Sequence, residues 1–201
     1  MSALHALIVV DPQVDFCPGG PLAVADGDSI MSHINAMMPS FDKVYMTQDW
    51  HPNNHSSFAS QHAGAAVYST IDMPYGAQTL WPDHCIAGSA GADFHPDLST
   101  DLAAVIIRKG MNPQVDSYSA FFENDKTTTT GLGDLLRAHD VTSVTFVGLA
   151  TDFCVAWSAI DATKLGFDVT VDLAACRAID LDGSLDTALD AMRSAGVTLN
   201  N

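Results

Sequence analysis

Short runs of β-branched and aliphatic residues, each ending at a polar or small-residue turn, alternate along this chain with segments whose apolar residues recur at helical spacing. That alternation restricts the fold more than any other feature, because strands joined through helical crossovers pair in parallel and the helices cover the sheet. Strands are predicted near Leu4–Val10, Lys43–Thr47, Ala104–Arg108, Ser143–Val147 and Asp168–Val171, with a weaker one at Val197–Leu199. Asp28 is placed to cap a helix that carries Ile30, Ile34 and Met37 on one face and ends at Pro39. Leu132, Leu135 and Leu136 mark a second helix, entered through Gly131-Leu132-Gly133. A third begins near Asp152 and stacks Val155, Ala159 and Ala162, and Leu185, Leu189 and Met192 mark a fourth. The class is α/β, with βαβ units around a parallel sheet.

At 201 residues the chain fits one domain, 1–201, with enough core to need no disulfide staples. Its 24 acidic residues against 8 lysines and arginines give a net charge of −16, spread along the chain with no basic block. Such a surface repels phosphate backbones and anionic headgroups, which excludes nucleic acid and membrane partners. Cys17, Cys85, Cys154 and Cys176 form no C-x-x-C pair, and no signal peptide precedes them, so reduced thiols and a cytoplasmic location are expected. The apolar run Ala6–Val10 stops at Asp11-Pro12, far too short to span a bilayer. Whether the chain forms a homo-oligomer stays open.

Three strand ends carry reactive groups. Cys154 follows the run Ser143–Val147 through a small-residue turn into a helical pattern, where free amide hydrogens and the helix dipole favour a thiolate. Asp11 ends the first strand, and Arg108-Lys109 ends the third. The carboxyl ends of parallel strands share one rim, so Asp11, Lys109 and Cys154 can meet in one crevice as a hydrolytic set. Taken singly, each has a plainer explanation: a turn-forming Asp before Pro12, a cation pair facing water, a packed thiol.

From Gln48 to Pro96 the chain has little periodicity and most of its histidines. A segment of that length, about 48–96, is read as a long functional loop. Asp49 and His51 lie two residues apart on an extended segment and so face the same side, and His84 returns as a third ligand for a metal ion. His55 is an alternative third ligand, or sits behind one. Zinc is the default for two imidazoles and a carboxylate, although iron or manganese also suit the oxygen. Cys85 reads as a packed thiol, and His5, His33, His62, His95 and His139 as structural or exposed residues without partners.

Five ordered segments together resemble the nicotinamidase/pyrazinamidase branch of the isochorismatase-like hydrolases. They are Asp11-Pro12-Gln13-Val14-Asp15-Phe16-Cys17-Pro18-Gly19-Gly20, the Asp49-Trp50-His51-Pro52 segment with His55-Ser56-Ser57-Phe58, Trp81-Pro82-Asp83-His84-Cys85, Arg108-Lys109-Gly110 and Gly148-Leu149-Ala150-Thr151-Asp152-Phe153-Cys154. The resemblance implies a doubly wound, mostly parallel sheet of about six strands with helices on both faces. It also implies a triad of Asp11, Lys109 and Cys154, a metal on Asp49, His51 and His84, and hydrolysis of nicotinamide to nicotinate and ammonia in NAD salvage, with pyrazinamide as a second substrate. It further suggests an oxyanion hole from the backbone amides of Ala150 and Cys154, a cis peptide at Leu149-Ala150, and a ring slot walled by Phe16, Trp81 and Tyr118, with Ala150 also at the substrate. Val14 stands where many members have Asn. Two other expectations remain open: a metal-free amidohydrolase of the superfamily acting on a carbamoyl or ureido substrate, and a non-catalytic metal-binding protein of the same fold.

Overall fold

Ala6, Leu7, Ile8, Val9 and Val10 have no exposed surface, so their strand must be covered on both faces and both edges. In the computed structural model, which describes residues 4–201, that strand is central. The elements in chain order are β1 (Leu4–Val10), α1 (Met31–Met37), β2 (Lys43–Asp49), β3 (Thr70–Met73), β4 (Gly76–Thr79), β5 (Ala103–Lys109), α2 (Leu132–Ala138), β6 (Val141–Leu149), α3 (Ala156–Lys164), β7 (Asp168–Arg177), α4 (Ser184–Ser194) and β8 (Thr198–Asn200). Six strands form one all-parallel sheet in the order β5-β2-β1-β6-β7-β8. From β1 the chain steps one way to β2 and later the other way through β6, β7 and β8. Right-handed crossovers therefore put α1 on one face and α2, α3 and α4 on the other, giving the doubly wound arrangement.

The strand order reverses between β1 and β6, and a crevice opens there at the carboxyl ends. Register aligns that rim: Val10 pairs with Gly148, and Asp49 with Lys109. Gly148 has φ +117, and a Cβ there would run into the backbone of Val10, so only glycine lets β6 approach β1 this closely. On the edge strand β5 side chains alternate, Arg108 turning out to solvent and Lys109 inward.

Two expectations need correction. Asp28 caps nothing: Gly27–Ile30 forms a 3-10 turn whose last residue already has helical angles, so the chain runs into α1 without an extended residue for a capping side chain. Met38 is the fully buried partner of Ile30 and Ile34, while Met37 packs half-buried against the same core. The long loop is also not without structure. It carries the antiparallel hairpin β3–β4 and isolated bridges His51 to Ile86 and Phe58 to Trp81. No helix among the described residues is long and apolar enough to cross a membrane.

Candidate active site

Four neighbouring strand ends present Lys109, Asp49, Asp11 and, past the turn after β6, Cys154, all of them buried. Lys109 Nζ lies 2.8 Å from Asp11 Oδ2, 2.5 Å from Asp49 Oδ1, 2.9 Å from the Ser117 carbonyl and 3.4 Å from Cys154 Sγ. An ammonium has three hydrogens, and Asp49, the Ser117 carbonyl and Cys154 use them all, while Asp11 Oδ2 is held as an ion pair. The carboxylate and sulfur atoms of Asp11, Asp49 and Cys154 lie within 4.8 Å of one another. Asp11 holds a left-handed backbone, φ +47, which Asp tolerates better than most side chains. The Thr47 hydroxyl fixes it by donating to Oδ1 at 2.6 Å and accepting from the Asp11 amide at 3.1 Å.

This packing splits the two carboxyls. Burial pushes Asp11 up to about 6, with Lys109 opposing the rise and Asp49 adding to it. Burial pushes Asp49 the same way, but Lys109 and then His51 outweigh it and hold this carboxyl well below the usual range. Burial disfavours the Lys109 ammonium, yet Asp11 and Asp49 raise it well above an ordinary lysine. Asp11 is thus a base poised near neutrality beside a fixed charge pair. Burial also holds the Cys154 thiol well above its ordinary value, Lys109 pulling it down and Asp11 pushing it up. Burial thus works against the thiolate that the helix start and Lys109 favour.

Cys154 sits in a π-helical turn, Thr151–Val155, that leads into α3. The Ala150 carbonyl accepts from the amides of Phe153 and Val155 at 3.2 and 3.1 Å, closing the turn, and the Leu149-Ala150 peptide is cis. Asp152 ties this turn to the start of α4 by accepting from the amides of Ile179 and Asp180, at 3.0 and 2.7 Å, and from the Ser184 hydroxyl.

Beside this row lie the histidines. His51 Nδ1 meets the Gly110 carbonyl at 2.9 Å and His84 Nδ1 meets the Pro82 carbonyl at 2.8 Å. A ring nitrogen facing a carbonyl must carry the hydrogen, so Nε2 of each ring is left with its lone pair. Gly110 has φ +65, and a Cβ there would strike the His51 ring. Asp49, His51 and His84 offer ligand atoms within 4.8 Å of one another, and Asp49 keeps Oδ2 on this side while Oδ1 faces Lys109. Burial and then His51 lower His84 to about 4, so it is a neutral donor. The donor set fits a divalent cation. The His55 ring packs at a tilt against His51, 4.3 Å between centroids, its Nε2 is buried without a partner, and with Asp116 and His51 it forms a second group of candidate ligands. Cys85 is sealed off, as a packed thiol should be. His5, His62 and His139 are structural but not partnerless: they meet the Thr145 hydroxyl, the Ser56 carbonyl and the Tyr45 hydroxyl at 2.9, 2.7 and 2.6 Å.

One pocket joins both clusters. Phe16, Trp81, Tyr118 and Ala150 line it, together with Asp49, His51, His84 and Cys154. The sequence reading missed Leu22, Asp116, Phe153 and Ile179, which line it too. Phe153 packs edge-on against Trp81 and Tyr118, at centroid distances of 4.8 and 5.7 Å. Its place just before Cys154 was the available signal, whereas Leu22 and Ile179 carry none beyond being apolar.

The isochorismatase domain family model matches residues 5–200. The chain belongs to that family. Within it, a nicotinamidase of Acinetobacter baylyi is 52% identical over 192 residues, 96% of this chain and 90% of that protein. The solved nicotinamidase pyrazinamidase of Acinetobacter baumanii superposes with a TM-score of 0.98 at 51% identity, covering 100% of this chain and 97% of that one. The solved pyrazinamidase of Pyrococcus horikoshii in complex with zinc gives a TM-score of 0.77 at 36% identity, with 97% of each chain covered. The isochorismatase fold thus accounts for the sheet order and for the rim on which the four groups stand.

Proposed function

We propose that this chain is a nicotinamidase that hydrolyses nicotinamide, and pyrazinamide as a second substrate, to the carboxylic acid and ammonia in NAD salvage. One observation carries the assignment of roles: a single buried ammonium binds Asp11 and Asp49 and reaches Cys154 at the floor of an aromatic-walled pocket. Full-length similarity to nicotinamidases supports the substrate.

In the first step Asp11 takes the proton from Cys154 Sγ as the sulfur bonds to the amide carbon and the C=O π pair moves to oxygen. The amides of Ala150 and Cys154 receive that charge; one such donor is worth about 3 kcal/mol of barrier. When the oxyanion collapses, the C–N bond breaks and Asp11 returns the proton to nitrogen, releasing ammonia and leaving a thioester on Cys154. Water, deprotonated by Asp11, then attacks the thioester, the C–S bond breaks, and the proton goes back to sulfur. Throughout, Lys109 keeps Asp11 aimed at the sulfur. Asp49 stays ionised and neutralises it.

Asp49, His51 and His84 would hold the ion, for which zinc suits two imidazoles and a carboxylate. Bound there, it would supply a Lewis acid to anchor the pyridine nitrogen. Phe16, Trp81 and Tyr118 would flank the flat ring and exclude water. Four buried free cysteines suit a reducing compartment such as the cytoplasm. Ammonia release from nicotinamide, measured with and without chelator, tests the assignment: release that stops on chelation and returns with zinc is expected, and no release from the zinc-loaded protein would end it.

A further inference from the structure

The hairpin β3–β4 contributes no residue to the pocket lining, yet it sends one side chain inward. Gln78 of β4 has no exposed surface. Its Nε2 lies 2.8 Å from the Thr79 carbonyl, 2.9 Å from Asp116 Oδ2 and 2.9 Å from the Tyr118 hydroxyl. Its Oε1 accepts from the Tyr75 hydroxyl and from Asn124 Nδ2, both at 3.2 Å. Acceptors surround one end of the amide and donors the other, so the neighbours decide its orientation.

Those neighbours build one side of the pocket. Asp116 and Tyr118 line it, and the Tyr118 oxygen also accepts from Trp81 Nε1 at 3.0 Å. Asn124 closes the irregular segment between them, its amide donating to the Asp116 carbonyl at 2.6 Å and its Oδ1 accepting from the Tyr118 amide at 3.1 Å. Residues 116–124 form no helix or strand of their own, so hydrogen bonds must hold their shape. Gln78 is the point where the bonds to Asp116, Tyr118 and Asn124 meet.

We infer that Gln78, although outside the pocket, is a positioning residue that sets the spacing of Asp116, Tyr118 and Trp81 and thereby which ring carboxamides fit. The inference rests on the pocket being the nicotinamide site. Losing this hub loosens a wall that touches the ring; of the Lys109 contacts it bears only on the one to the Ser117 carbonyl and leaves those to Asp11 and Asp49, so ring binding should suffer more than thioester chemistry.

Gln78→Glu tests it, because the replacement has nearly the same size but places an acceptor where the Asp116 carboxylate and the Thr79 carbonyl need a donor. In a folded variant, KM for nicotinamide should rise about tenfold, the scale of a lost buried hydrogen bond or two, while kcat falls less than about threefold. Discrimination against a ring-methylated nicotinamide should weaken in parallel. If Gln78→Glu does not fold, Gln78→Met, of similar length and with neither donor nor acceptor strength, is read by the same kinetics. An unchanged KM in a folded variant overturns the role of Gln78 alone, as does an equal loss in KM and kcat without altered discrimination. A wild-type protein that releases no ammonia from nicotinamide overturns the functional assignment and this inference with it.

Discussion

The rim of the sheet and the long segment between β2 and β5 both deliver groups to the pocket, but they are held in different ways. Lys109, Asp49 and Asp11 end adjacent paired strands, so the ladder that makes the sheet also aligns them. His51, His84 and Trp81 come from irregular backbone and are fixed singly, through ring nitrogens on carbonyls, isolated bridges and a shared tyrosine hydroxyl. On the proposed roles, the chemistry would sit on the rigid part, and ligand recognition, Asp49 apart, on the part that can be altered piece by piece. One consequence is that damage to the rim should show in kcat or in stability, and damage to the loop in occupancy and KM.

Cys154→Ala is the most severe test of that division. It should lower turnover by about 10,000-fold or more, the scale of losing a nucleophile, while metal content measured by atomic emission stays at the wild-type level. Loss of metal in this variant would show that the two clusters are not separable. Lys109→Met comes next, since it strands two carboxyls in a buried site with no counter-ion. Unfolding by denaturant should show a loss of about 3–5 kcal/mol. A fully stable variant would mean the rim does not depend on its ion pair.

His51→Ala falls on the other side of the comparison. Metal affinity should drop by at least about 100-fold and KM rise with it, and the metal-free protein should melt lower because the buried ring and its bond to the Gly110 carbonyl are lost. Full occupancy in this variant would remove His51 from the ligand set. The gentlest test returns to the rim. Because folding raises Asp11 to about 6, its base form exists only above that pH, so kcat/KM should rise with pH through about 6 and fall about tenfold per unit below it. The Thr47 hydroxyl lowers Asp11, so Thr47→Val should move this limb to higher pH and cost a few-fold in rate at neutrality. A profile unmoved by Thr47→Val would point to a different titrating group.

The same division explains what could be read in advance. β1 and β6 were legible because runs such as Ala6–Val10 suit only a strand buried on both faces, and their ends located Asp11 and Cys154. Which member of Arg108-Lys109 turns inward depends on pleat parity, and here Arg108 instead lies 3.7 Å over the Trp50 ring. The hairpin left little trace, because its strands are only four residues each and Thr70–Met73 has no fully buried position. Asp116 was missed for a related reason: it stands in a segment without periodicity and is held by Gln78, far away in the chain. For the thiol, the helix start was visible in the chain and the opposing effect of burial was not.

The shared ammonium has a practical outcome. With every hydrogen of Lys109 committed and no surface on its side chain, the native protein should leave this amine untouched by acylating reagents, while Lys43 and the other lysines react first. Mass-resolved labelling of Lys109 would therefore act as a clock for opening of the rim, slow in the intact protein and quickened by any change that loosens the sheet ends.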